Sequence, residues 1–345
     1  MSYFEKINIY VPETVGRTLE NDAMLFEIYK KDGRTINKNR FLSMLIRGYY
    51  NAYEEESQKV YSAISEKLET IIKDRESKKE IVTAIINDVF RPEIPARKGK
   101  NPARWSLKPT ADTEGMINQI MDNLGGDDYI SQYFCRLLTS YCEKSFPERE
   151  RIVFRTNYEF IEKAIINGQG IMFNTIWDGC KNHYVYPYKL VVGKEEMFNY
   201  LLCCEKDERT GKLQAKSYRL NRIAKIDYSS KINEIPVLIQ EKLEKMIEYA
   251  PQFAINDDEE CCVKLNSYGV RSFNRIYYGR PKVERIEDRK DGSYYFFNCS
   301  EDQIYLYFKR FEGESAEIVY PERLRKRIKE FYADAGKKYE EDGDE

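Results

Sequence analysis

The chain has 345 residues, with 56 lysines and arginines against 58 aspartates and glutamates, and this length favours two to four domains over one. The formal net charge of −2 excludes a global positive field, so attraction to nucleic acid or membrane would have to come from local clusters. Its apolar runs are too short to cross a bilayer, and the first ten residues lack an apolar signal core. We therefore expect a cytoplasmic protein that does not engage the membrane.

Side chains that serve catalysis and metal binding are sparse. The eight cysteines lack CxxC spacing, and His183 is the only histidine. Scattered cysteines in a chain without an export signal are typically reduced and buried. Adjacent acids such as Asp127 and Asp128 lie in polar turns, where carboxylates usually face solvent. We expect no catalytic residues, no metal site and no cofactor, and hence a protein that is not an enzyme.

The N-terminal segment has the pattern of one strand followed by two helices. KINIYV, residues 6–11, alternates polar and apolar side chains, which is typical of a half-buried strand. Pro12 suits the first turn of a helix, and a second helix follows near Asn37. The buried face of this second helix is predicted to contain Phe41, Leu42, Leu45, Ile46 and Tyr49. A lone strand leaves its edge unpaired, so we expect a second copy to pair with it in a homodimer.

This segment, residues 4–55, resembles a ribbon-helix-helix domain. In that family two such strands pair antiparallel and insert their outward side chains into a DNA major groove. The resemblance implies that Lys6, Asn8 and Tyr10 take the base-reading positions, and that the backbone of residues 35–37 contacts phosphate. An alternative is a strand surface that only dimerises.

Residues 57–156 are predicted to form a helical and basic connecting region. The helix over residues 57–90 should bury the stripe Val60, Ile64, Leu68, Ile71 and Ile72. The proline-containing basic segment 91–109 either contacts phosphates, with Trp105 stacked on a base, or is a connector whose Trp105 docks on a neighbour. Two structural helices near 112–123 and 128–144 follow, and then an extended segment ERIVF, residues 150–154.

Residues 170–229 show a run of short strands that predicts a small, strongly bent barrel. Its interior is expected to contain Ile171, Val185, Leu190, Leu201, Leu220 and Ile223. Three segments, Pro187-Tyr188-x-Leu190, Asn199-Tyr200-Leu201 and residues 219–223 (RLNRI), resemble the WYL domain, with Asn199 in the place of the family's tryptophan.

The WYL resemblance implies an Sm-like, SH3-type barrel that recognises nucleic acid or nucleotide ligands in prokaryotic regulators and defence systems. Guanidinium groups bind phosphate and stack on bases, so Arg219, Arg222, Tyr188 and Tyr200 are candidates to hold a single strand. Strand parity places the two arginines on opposite sides unless the chain bends between them, whereas the resemblance implies that they converge. Alternatively, each arginine pairs with a carboxylate such as Glu205 or Asp227.

The C-terminal part, residues 262–340, is predicted to run strand, helix, two strands, helix, strand and helix. This order resembles the ferredoxin-like extension that follows WYL domains. The basic residues 323–329 are expected to be solvated or to form a dimer contact. We thus predict an α+β multidomain chain with a ribbon-helix-helix domain at 1–56, a connecting region at 57–156, a WYL domain at 157–230 and a dimerising extension at 231–345.

This arrangement as a whole resembles the WYL accessory proteins of type VI-D CRISPR systems. The resemblance implies a homodimeric regulator in antiviral defence that binds single-stranded RNA and enhances RNA cleavage by the effector nuclease, with DNA as a possible further partner. Two alternatives remain. One is a DNA-binding transcriptional regulator whose WYL domain senses a ligand, and the other is a structural dimerisation protein.

Overall fold

The computed structural model describes residues 6–89, 103–124, 130–176, 181–208, 210–255 and 259–340. The chain is a multidomain α+β protein, and it divides into two compact units, Met1–Glu159 and Phe160–Glu345.

The first unit is built around a two-stranded antiparallel ribbon. Ile7 lies opposite Leu107 and Val11 opposite Ala103, so each apolar residue of one strand faces an apolar residue of the other. The elements of this unit are β1 (Ile7–Val11), α1 (Glu13–Leu25), α2 (Lys38–Leu68), α3 (Arg75–Val89), β2 (Ala103–Leu107), α4 (Ala111–Leu124), α5 (Ile130–Glu143) and α6 (Phe146–Val153). Helix α7 (Arg155–Ile166) begins in this unit and ends in the next.

The order of elements repeats within the first unit. β1, α1 and α2 form one strand-helix-helix repeat, and β2, α4 and α5 form a second. The repeats are interlocked, because α5 packs against β1 and α1 packs against β2. A Cβ placed on Gly16 of α1 would lie 2.3 Å from the Cβ of Ala103, so glycine permits this close approach.

The expected pairing of the first strand with a second copy is therefore wrong. Its partner is β2 of the same chain, which lies in the segment interpreted as a basic connector. In β2 the side chains of Ala103, Trp105 and Leu107 face inward. This short alternation did not predict a strand because the prolines of the same segment indicate irregular structure. Homodimerisation itself stays a prediction.

The core of the first unit confirms the predicted face of α2. Phe41, Leu42, Leu45 and Ile46 are fully buried, and Tyr49 is nearly so. Ile71 is 74% exposed, contrary to the predicted stripe, because α2 ends at Leu68.

ERIVF is helical rather than extended. Ser145 begins α6 with a capping box, in which its backbone N–H donates to Glu148 Oε2 over 2.9 Å. This capping box stabilises a helix, and its effect outweighs the strand preference of the β-branched residues Ile152 and Val153.

The second unit begins with a five-stranded sheet. Its strands are β3 (Ile171–Thr175), β4 (Asn182–Val192), β5 (Asn199–Lys206), β6 (Leu213–Arg219) and β7 (Ile223–Tyr228). They are ordered β6-β5-β4-β3-β7, so the last strand returns to pair with the first. Five of the six predicted interior residues are buried, whereas Leu190 is half-buried beyond a register shift between Pro187 and Lys189.

The second unit continues through α8 (Val237–Tyr249) into a four-stranded antiparallel sheet with helices. Its elements are β8 (Cys261–Leu265), α9 (Ser267–Arg275), β9 (Arg285–Arg289), β10 (Gly292–Phe297), α10 (Glu301–Phe308), β11 (Ala316–Tyr320) and α11 (Glu322–Glu340). The predicted order of elements is confirmed. It is the β-α-β-β-α-β pattern of a split motif, followed by a closing helix.

Candidate nucleic-acid interface

Both predicted arginines of the second unit line one cavity of about 420 Å³. Its wall combines residues of the five-stranded sheet with residues that follow it in the chain. The other lining residues are Thr175, Glu196, Tyr200, Ser217, Tyr218, Gln252, Phe253 and Leu306.

A short 3₁₀ turn explains how Arg219 and Arg222 come to face the same space. This turn, Leu220–Arg222, joins β6 to β7 and buries Leu220 and Asn221. It replaces the strict alternation of a strand, which would have sent the two arginines to opposite faces. The predicted convergence of the two side chains is confirmed.

Arg219 lies flat against an aromatic ring. Its guanidinium carbon is 3.4 Å from the centroid of the Phe198 ring, within the range of a cation–π contact. Its Nε is buried and, within the described part of the chain, has no hydrogen-bond partner. The contact with Phe198 orients the guanidinium in the cavity wall, and a guanidinium is suited to a ligand that supplies an oxygen.

Tyr200 lies opposite Arg219 in the sheet but is only 4% exposed. Its hydroxyl donates to Glu196 Oε2 over 2.5 Å, which fixes a carboxylate in the cavity wall. The cavity therefore offers both positive groups and an acceptor. Tyr200 has little ring surface left for stacking on a base, and its contribution is to hold Glu196.

Tyr218 connects the cavity wall to a buried polar cluster. Its hydroxyl donates to Glu205 Oε2 over 2.6 Å and lies 2.9 Å from His183 Nδ1, which is itself 2.8 Å from Glu205 Oε1. Burial opposes ionisation of Glu205, but the hydrogen bonds from His183 and Tyr218 lower its pKa. Glu205, one carboxylate considered as an arginine partner, is thus engaged by His183 and Tyr218.

Tyr188 points to a different part of the second unit. It packs beside the apolar cluster that contains Leu243 of α8, and its hydroxyl bonds Glu244. That hydrogen bond and burial both raise the pKa of Tyr188. Tyr188 is not among the described residues that line the arginine cavity. The structure therefore does not bring it to Arg219 and Arg222.

The ribbon of the first unit carries the other predicted site residues. Lys6, Asn8 and Tyr10 alternate with the buried side chains of β1, and Lys6 and Tyr10 are exposed. Asn8 Oδ1 accepts hydrogen bonds from Arg104 Nη2, at 2.9 Å, and Ser106 Oγ, at 3.1 Å, on the neighbouring strand. Arg104 belongs to the segment 91–109, for which phosphate contact was one of two interpretations, whereas the sequence did not assign Ser106 to a site.

The structure decides between the two interpretations of Trp105 and corrects the expected phosphate contact of residues 35–37. Trp105 is 1% exposed, and Lys38 Nζ lies 4.6 Å from the centroid of its ring. Trp105 therefore packs inside the unit and cannot stack on a base. The amides of Thr35 and Asn37 already donate to Asp32 Oδ1 and the Ile28 carbonyl, at 2.9 and 2.8 Å. They are not open to a phosphate. The basic residues 91, 97, 98 and 100 lie outside the described residues.

The basic face of α11 is largely neutralised within the chain. Arg325 Nη2 lies 2.7 Å from Glu317 Oε1, and Arg327 Nη1 lies 2.6 Å from Asp302 Oδ1. Such surface pairs reduce the local positive potential. This face is a weaker candidate for binding a polyanion than the arginine cavity.

Sequence reasoning missed Glu196, Gln252, Phe253 and Leu306 as cavity residues. Gln252 and Phe253 follow α8 and Leu306 lies in α10, far along the chain from the arginines. No local pattern marks them. The Gln252 Oε1 atom is buried and has no hydrogen-bond partner in the described part of the chain.

Within the described ranges, no group of three or more histidine, cysteine, aspartate or glutamate residues could hold a metal ion. No described helix is long and apolar enough to cross a membrane.

Comparison with known proteins shows a likeness of fold. No family model matches the chain, and no curated protein matches it. One similar solved structure is described as a CRISPR Cas-related protein, with 20% identity, a TM-score of 0.64, and coverage of 100% of this chain and 96% of that one. Another is proteasome accessory factor B/C (PafBC) of Arthrobacter aurescens, with 16% identity, a TM-score of 0.24, and coverage of 66% of this chain and 35% of that one.

Proposed function

We propose that this chain is a non-catalytic regulator that binds single-stranded RNA at the arginine cavity of its second unit. The observation that carries the proposal is the position of Arg219, which lies against the Phe198 ring and lines the same cavity as Arg222. A guanidinium held in this way binds phosphate oxygens at a small entropic cost, because its orientation is already set.

The cavity has the size and chemistry of a site for part of a polynucleotide. Its volume of about 420 Å³ falls within the usual range for ligand pockets. Phosphates would meet Arg219 and Arg222, while the carboxylate of Glu196 would accept hydrogen bonds from base amino or imino groups. The remainder of the strand would run over the surface outside the cavity.

The regulated partner that we propose is a type VI-D CRISPR effector nuclease. The resemblance of the sequence to WYL accessory proteins supports this, and so does the likeness of fold to a protein described as CRISPR Cas-related. By holding RNA near the effector, a homodimer of this chain would raise the local RNA concentration and thereby the rate of cleavage.

The test is RNA affinity as a function of salt. Replacing both Arg219 and Arg222 by alanine should weaken binding of a fluorescent single-stranded RNA and reduce the slope of log affinity against log salt by about 1.4, because each lost phosphate contact removes about 0.7. The matched control replaces Arg325 and Arg327, which also removes two positive charges. Equal affinities and slopes for the two double variants would refute the proposed site.

The effector assay tests the second part of the proposal. Wild-type protein should stimulate RNA cleavage by a type VI-D effector, whereas the Arg219/Arg222 variant should stimulate it less. Intact RNA binding without any stimulation would refute the role beside this effector and leave the binding site in place.

A further inference from the structure

We propose that the tyrosine pair Tyr277 and Tyr278 of the second unit is a base-stacking platform that holds the RNA strand where it leaves the arginine cavity. Since this strand is the one bound by Arg219 and Arg222, the role of the platform rests on the proposed function.

The two tyrosines lie side by side in the loop that joins α9 to β9. Their side chains are strongly exposed, with Tyr277 at 73% and Tyr278 at 49%. A tyrosine ring is largely apolar and is usually buried against other side chains. Two adjacent exposed rings therefore mark a surface that can bind a partner.

The backbone that carries the pair is fixed on both sides. The Tyr307 hydroxyl of α10 donates to the carbonyl of Ile276 over 2.6 Å, just before the pair. Arg310 Nη2 donates to the carbonyl of Tyr278 over 2.9 Å, at its end. Because the loop is already held in place without a ligand, stacking a base on it costs little conformational entropy.

The platform adjoins the arginine cavity. The Gly279 amide donates to the carboxylate of Glu195, and the next residue, Glu196, lines the cavity. Burial and then the negative charges of Glu196 and Glu195 raise the pKa of Tyr278, whereas the charge of Arg219 lowers it. Charges shift a pKa in this way only over a short distance, so Tyr278 lies at the edge of the cavity.

Exposed arginines flank the pair. Arg275 ends α9 two residues before Tyr277, and Arg280 follows two residues after Tyr278. Arg310, which bonds the loop backbone, is exposed as well. Guanidinium groups attract phosphate while flat rings accept a base, and this combination binds single-stranded nucleic acid. A duplex keeps its base faces stacked internally, so the platform favours a single strand.

The platform supplies the stacking surface that two of the predicted site residues do not. Tyr200 is almost fully buried, and Tyr188 lies away from the arginine cavity. Every base has a flat face, so stacking on Tyr277 should add affinity without requiring a particular sequence.

The experiment compares Tyr277→Ala with the wild type on a fluorescent single-stranded RNA over a salt series. Loss of one stacked base should lower the affinity about 5- to 150-fold. The slope of log affinity against log salt should stay unchanged, because no phosphate contact is lost. The Arg219/Arg222 variant should differ in this respect, since its slope falls.

A second RNA tests stacking directly. It has the same length and the same phosphates, but abasic sites replace its bases. The wild type should bind it more weakly than the ordinary RNA, and this difference should shrink in Tyr277→Ala because the ring that meets the base is gone.

The matched control is Tyr268→Ala. Tyr268 is 65% exposed but lies in the first turn of α9, about 10 Å along the helix axis from Arg275. Its replacement should leave RNA affinity unchanged. Thermal unfolding of both variants checks that each is folded.

The possible outcomes separate the platform from the cavity. Equal RNA affinities of the Tyr277→Ala and Tyr268→Ala variants, or an equal loss on abasic RNA in Tyr277→Ala and the wild type, would overturn the platform alone. Absence of RNA binding by the wild type would overturn the proposed function and the platform together. Unchanged RNA affinity of Tyr277→Ala with a loss of effector stimulation would also overturn the platform and assign the pair to a protein contact.

Discussion

Arg149 of α6 should be essential to the stability of the first unit, and Arg149→Met tests this. The guanidinium makes two hydrogen bonds to Asp22 of α1, from Nε to Oδ2 at 2.7 Å and from Nη2 to Oδ1 at 3.0 Å. Tyr141 of α5 donates to the same Oδ2 over 2.8 Å. Because α1 and α5 belong to different repeats, this network joins the two halves of the interior.

The magnitude follows from the burial of the carboxylate. Asp22 is 0% exposed, so removing the guanidinium leaves an unpaired charge in the interior. Breaking a buried ion pair in this way costs about 3–5 kcal/mol of the free energy of unfolding. For a unit of roughly 160 residues this predicts a fall in Tm of about 6–20 °C.

The assay is thermal and urea unfolding of the full chain, with Arg47→Met as the control. Arg47 pairs with Asp112 at 3.3 Å on the exposed surface of the same unit, so its loss should cost less than about 1 kcal/mol. Adding Asp22→Asn to Arg149→Met should recover much of the stability, because it removes the buried charge. Equal unfolding of the Arg149→Met and Arg47→Met variants would refute this reasoning.

Two further predictions concern packing and thiol chemistry. Gly269→Ala should destabilise the second unit by about 1–3 kcal/mol, since the new Cβ would lie 1.9 Å from the Ser315 carbonyl oxygen. Gly336→Ala is the control: no atom lies within 4 Å of its new Cβ, so it should stabilise α11 slightly. A lower stability of Gly336→Ala than of Gly269→Ala in urea unfolding would contradict this packing. Burial and Asp22 raise the pKa of Cys142 to about 12 from 9.0. Because its thiolate is then about a thousandfold scarcer near pH 8 than in the unfolded chain, native iodoacetamide labelling, mapped by mass spectrometry, should be correspondingly slow. The same proton linkage should lower stability between pH 9 and 12, where only the unfolded chain loses this proton. Fast native labelling would refute the burial.

Much of the fold was predictable because the short-range periodicity of apolar residues indicates which segments form helices and which form strands. The alternation of residues 6–11 indicates β1, and the apolar stripe from Phe41 to Tyr49 indicates the buried face of α2. The alternating strands and helices after residue 260 appear in the predicted order. Each of these patterns involves residues within two turns or one strand of each other, so the sequence alone determines them.

Tertiary structure alone decided which distant segments meet. Nothing local marks β2 as the partner of β1, because 91 residues separate Val11 from Ala103 and the energy of the pairing depends on both strands together. The convergence of Arg219 and Arg222 required a 3₁₀ turn, and the cavity was completed by Gln252 and others from later in the chain. The sequence therefore determined the elements and several candidate side chains, whereas long-range packing determined which of those side chains share a site.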